Sequence, residues 1–80
     1  MIQHELLEIT VNRRRFERQQ GVKELMTASE IAALVGIPSV NAVVEREISR
    51  NVYEVVSGNA PVVIADRMHF LVTREFVMGG

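Results

Sequence analysis

Met26-Thr27-Ala28-Ser29-Glu30-Ile31-Ala32-Ala33-Leu34-Val35-Gly36-Ile37-Pro38 is the stretch from which the fold can be read. Thr27 stands three residues before Glu30, so its hydroxyl can accept from the Glu30 amide while the Glu30 carboxylate reaches back to the Thr27 amide. Met26 before the cap and Ile31 at the fourth helical position are placed to staple that entry, and Ala28, Ile31, Ala32 and Val35 line one face. Gly36 supplies a left-handed stop, Ile37 is free to fold back, and Pro38 prevents continuation. The spacing predicts a helix over residues 28 to 35. Such a helix is too short to cross between parallel strands in a doubly wound sheet, so it must lie across one face of a mixed sheet.

Strand patterns flank this helix. Leu7, Ile9 and Val11 alternate with Glu8, Thr10 and Asn12, the period-two signature of a half-buried strand. Asn12-Arg13 can form a tight turn, although Arg replaces the usual Gly, and Phe16 continues the alternation with Arg14 and Arg18. A hairpin over residues 5 to 19 is expected, followed by a connection through Glu24. Beyond the helix, Ala42 to Glu45 reads as a third strand. Residues 46 to 60 carry Ser49, Asn51, Ser57, Gly58 and Asn59 and are expected to be mostly loop. Val62 to Ile64 and Met68 to Thr73, joined by Ala65-Asp66-Arg67, are expected to pair as a second hairpin in which Phe70 and Val72 share a face. The expected class is α+β: a β-grasp with a mixed sheet of four to five strands and one short helix across it. Its domain spans residues 1 to 75, and a flexible tail spans residues 76 to 80.

Composition bounds the function. Eighty residues allow one core, and 48% hydrophobic with 24% charged residues is ordinary for a folded domain. There is no cysteine, which excludes disulfides, thiolate zinc sites and a thiol nucleophile and points to the cytoplasm. No apolar run approaches the roughly 20 residues needed to cross a bilayer. A net charge of −1 lacks the basic footprint of a nucleic-acid binder. Eight of the nine basic residues are arginine, leaving Lys23 as the single lysine.

The chain closes on Phe76-Val77-Met78-Gly79-Gly80. A terminus free of side chains can thread a narrow cleft and bring its carboxylate to a nucleotide and then to a nucleophile. A carboxylate is a poor electrophile, so ATP-dependent adenylation must precede attack by a partner's thiolate. The chain then supplies the acyl group and no catalyst.

On these residues the sequence resembles ubiquitin-like proteins, closest to prokaryotic ubiquitin-like domains of the multiubiquitin type. The resemblance is carried by Ile9-Thr10-Val11-Asn12, by the helix motif from Met26 to Pro38, by Asp66 to Phe70, and by Gly79-Gly80. It implies a protein modifier, not an enzyme and without a cofactor. Gly80 would be adenylated by an activating enzyme, passed to a cysteine as a thioester, and delivered by a conjugating enzyme to an amine of a target protein. A metalloprotease would reverse the isopeptide bond, and ending at Gly80 would make the chain a mature form. Lys23 and the amine of Met1 are the amines through which copies could be linked. Asn12-Arg13 departs from the Asn-Gly frequent in such domains, and a single domain departs from their usual tandem arrangement.

Two other readings share these residues. Val11-Asn12, Asp66-Arg67 and Gly79-Gly80 are also similar to the sulfur carriers of thiamine and molybdopterin synthesis, in which Gly80 would bear a thiocarboxylate. Alternatively, His69, Leu71 and Thr73 face opposite to Phe70 and Val72 and would form the partner surface of a non-reactive interaction module. Phe76, Val77 and Met78 are apolar residues expected to contact the activating enzyme. Arg13-Arg14-Arg15 reads as a solvated edge that deters strand pairing, and His4 and His69 show no metal-ligand spacing.

Overall fold

The computed structural model describes residues 6–56 and 59–75. Strand β1 (Ile9–Val11) turns through Asn12-Arg13 into β2 (Arg14–Phe16), with Ile9 opposite Phe16. Both turn residues adopt left-handed backbone, with φ of 54° and 69°. That is the hand a two-residue hairpin needs, reached here without glycine. A 3₁₀ turn at Arg18–Gln20 leads to β3 (Leu25–Met26) and then to helix α1 (Ala28–Leu34).

Both ends of α1 form as the sequence predicts. The Glu30 amide donates to Thr27 Oγ1 at 3.2 Å, and the Thr27 amide donates to Glu30 Oε1 at 2.9 Å. At the far end Gly36 (φ 74°) donates to the Ala33 carbonyl and Ile37 to the Ala32 carbonyl, the paired bonds of a Schellman stop. Met26 and Ile31 are both fully buried, as the staple requires.

Strand β4 (Ala42–Ser49) follows a 3₁₀ turn at Ser39–Asn41 and hairpins into β5 (Val52–Val56). Much of the segment expected to be loop is therefore sheet. Ser49 does not interrupt β4 but ends it opposite Val52, and Arg50-Asn51 make the turn, in which Asn51 takes left-handed backbone with φ 61°. A register shift between Glu47 and Ser49 marks a bulge.

Strand β6 (Val62–Val63) and β7 (His69–Arg74) are the last two described strands, but they do not pair with each other as expected. One edge of β7 is taken by β4, antiparallel, and the other by β1, parallel. No edge is left for β6, which pairs instead with β3 in a separate two-stranded ribbon.

The result is an α+β architecture. A mixed five-stranded sheet runs in the order β2-β1-β7-β4-β5, with one helix packed on it. Ile31 and Ala32 of α1 join Ile9, Val11, Phe16, Val44, Phe70 and Val72 in one core, and every buried residue among those described is apolar. Full burial of each large side chain contributes about 1.5–3 kcal/mol, so this one apolar core is the main source of the fold's stability.

Candidate functional site

The structure places the last strand in the middle of the sheet, although β1, its parallel neighbour, is only three residues long. Among the backbone bonds that hold the pair are Thr10 N–H to the Met68 carbonyl at 2.9 Å and Asn12 N–H to the Phe70 carbonyl at 3.1 Å. Side chains extend that short ladder at both ends. At one end the Asn12 carboxamide donates to the Val72 carbonyl (2.9 Å) and accepts from the Val72 amide (2.7 Å), adding a rung beyond the end of β1. At the other end Asp66 Oδ1 accepts from the Glu8 amide at 2.9 Å, and the Arg67 amide donates to the Glu8 carbonyl at 2.6 Å. Arg67 reaches this position through left-handed backbone, φ 72°.

Past β7 the chain is still anchored at Glu75, whose amide donates to the Asn41 carbonyl at 2.7 Å. Phe76, Val77, Met78, Gly79 and Gly80 lie outside the described residues, as do Met1 and His4. What is described is therefore the departure point, a central strand gripped by β1, by β4 and by the turn before it.

His69, Leu71 and Thr73 do share the face opposite to the buried Phe70 and Val72, with Leu71 half-buried and the other two exposed. The register fills in their neighbours. Thr10 lies beside His69, Val43 beside Thr73, and Glu45 sits between Leu71 and Val55. The outer face is thus a mixed surface in which an acid interrupts the apolar positions.

Lys23 Nζ lies 2.6 Å from Glu30 Oε2, so the single lysine is exposed but ion-paired to the residue that caps α1. The Lys23 ammonium, followed by the Thr27 amide, holds the Glu30 carboxyl below the usual carboxylate range. Glu24 is lowered in the same way by its hydrogen bond from Arg18 at 2.6 Å. In the basic cluster, Arg14 lies over the Phe16 ring with its guanidinium carbon 5.2 Å from the centroid, and Arg15 Nη1 is 3.5 Å from Glu8 Oε2. Two of the three arginines are thus turned onto their own hairpin and its approach.

An open cleft of about 380 Å³ separates the start of α1 from β4 and β5, lined among others by Ser29, Ser39, Val43, Val55 and Asn59. Its described lining holds hydroxyls and a carboxamide but no ionisable group. No cluster of three or more His, Asp or Glu side chains able to hold a metal ion occurs among the described residues. None of the described helices is long and apolar enough to cross a membrane.

Sequence reasoning located the Asn12-Arg13 turn and the Asp66-Arg67 turn but not what their side chains do. The signal lay in position: a polar residue with a short carboxamide ends an apolar strand, and an aspartate opens a turn, both settings in which these side chains bond to nearby backbone. No protein-family model matches the chain, and neither the curated proteins nor the solved structures contain a match to it.

Proposed function

We propose that this chain is a β-grasp protein modifier of the ubiquitin-like kind, activated at the Gly80 carboxylate and joined to amines of target proteins. The observation that carries the proposal is the sheet order β2-β1-β7-β4-β5, with first and last strands parallel at its centre and a capped helix between the two hairpins. That layout suits a modifier because the last described strand is held on both edges, by β1 and by β4, and only Glu75 separates it from residues 76 to 80. Fold alone licenses no chemistry; the chemical part comes from Gly79-Gly80. The Gly80 carboxylate attacks the α-phosphate of ATP and releases pyrophosphate. A cysteine thiolate of the activating enzyme then displaces AMP, and the target amine displaces the thiolate to leave an amide.

The test is mass spectrometry of the tagged chain recovered from its own cells. Digests in which the Gly80 carbonyl is attached to a lysine of another protein are the expected result, and deleting Gly79 and Gly80 abolishes these adducts while leaving the melting temperature unchanged. A terminal exchange of sulfur for oxygen without adducts identifies a thiocarboxylate carrier and overturns conjugation. Adducts that survive the deletion overturn any role for the terminus.

A further inference from the structure

The two edges of the sheet are built differently. The β2 edge is only three residues long and carries a single apolar residue, Phe16, beside Arg14 and Arg15. Charged side chains on a short strand are a standard defence of an edge. The β5 edge has five residues, Val52-Tyr53-Glu54-Val55-Val56, with no proline or lysine and no described strand beyond it. Its one charge is already neutralised, since Arg46 Nη2 lies 2.7 Å from Glu54 Oε1. Val52 and Val55 are 48% and 56% exposed, and Ile48 on the same hairpin is 54% exposed. Three of the seven exposed large apolar residues among those described therefore stand on this hairpin.

The strand is also complementary to itself. In an antiparallel pairing of two copies about a two-fold axis at Glu54, Val52 meets Val56 on the helix side of the sheet and Tyr53 meets Val55 on the outer side, each pair formed twice. Apolar and aromatic–β-branched pairs of this kind contribute to sheet stability. The one like-charge meeting, Glu54 with Glu54, falls where each carboxylate carries its own Arg46. We infer that β5 is a homodimer edge, at which two copies of this chain join their sheets into one continuous ten-stranded sheet through an isologous contact. The occupant is a second copy because the five-residue β5 edge sets apolar and aromatic residues opposite apolar ones of its own sequence, whereas the three-residue β2 edge offers only Phe16.

A five-residue edge buries less than a standard stable interface, so the contact is weak and depends on concentration. Sedimentation equilibrium of the full chain from about 10 µM to about 1 mM is expected to show mass rising from monomer towards dimer over that range. Amide exchange at Val52 to Val56 should slow in parallel, while exchange in β2 stays constant. Val55→Lys, at an exposed position, is expected to keep the thermal midpoint and to remain monomeric throughout. A constant monomer mass overturns the inference. So does association that persists in Val55→Lys, or that leaves β5 exchange unaltered, because either places the contact elsewhere.

Discussion

Replacing Asn12 with alanine should cost this domain a large share of its stability, for two reasons that can be separated. The side chain makes a pair of half-buried hydrogen bonds with Val72, at 2.9 and 2.7 Å, and each such bond contributes about 1 kcal/mol net. The residue also sits at φ 54°, where alanine pays about 1 kcal/mol for the left-handed backbone. Asn12→Ala should therefore destabilise by about 2–3 kcal/mol, lowering the melting temperature by about 10–20 °C in a domain of this size. Asn12→Gly loses the same bonds without the backbone strain and should cost about 1.5–2 kcal/mol. Asn12→Asp keeps an acceptor for the Val72 amide but turns a carboxylate towards the Val72 carbonyl, and should fall between wild type and alanine. The assay is urea denaturation of the variants, with amide exchange at Val72 as the local readout. A glycine variant as stable as wild type, with Val72 still protected, would refute the clamp.

The neighbouring turn offers the opposite sign: Arg13→Gly relieves a non-glycine residue at φ 69° and should stabilise by about 0.5–1 kcal/mol after the added freedom of the unfolded chain is counted, read from the same denaturation curves. Glu30 has a folded-state affinity for protons below its ordinary one, because Lys23 and the Thr27 amide bond its carboxylate. Its contribution is therefore present above the unfolded carboxylate range near ~4.3 and lost as pH falls through the lower folded value. Glu30→Gln should flatten that acid limb of the melting temperature against pH, and an unchanged limb would assign the acid loss to other carboxylates.

The helix was the most legible part of the chain because both of its ends are written locally. Thr27 with Glu30 and Gly36 with Ile37 each make bonds across three to five residues, so no tertiary knowledge is needed to foresee them. The alternation of Phe70 and Val72 against Leu71 and Thr73 was equally plain, since period two survives whatever the strand pairs with. The partner of β7 was not legible. A strand flanked by a turn invites a hairpin reading, and only competition for its two edges decides otherwise. The β4–β5 hairpin was missed for the converse reason, as Ser49 at the end of β4 and Asn51 in its tight turn resemble the polar residues of a loop. For the candidate site, the outward face of β7 followed from the sequence, while the carboxamide and carboxylate rungs at Asn12 and Asp66 depend on residues 60 and 58 positions away.

Those distant rungs bear on how the sequence resemblance is weighed. Val11-Asn12 and Asp66-Arg67 carry much of it, and in the structure Asn12, Asp66 and Arg67 serve one task, lengthening the grip of a three-residue β1 on the central β7. A parallel pair this short has few backbone bonds of its own, so a fold that puts its last strand at the centre gains by recruiting side chains at both ends. These motif residues therefore report an architecture and are silent on chemistry. On the proposed function the chemistry belongs to Gly79 and Gly80, so stability and reaction should separate by mutation. Substitutions at Asn12 or Asp66 lower the melting temperature and leave any adduct chemistry of the folded fraction intact, whereas loss of the glycines does the reverse. A variant at Asn12 that stays fully folded yet fails to form adducts would show that the clamp also meets the activating partner, and would move the functional surface from the terminus onto the hairpin beside it.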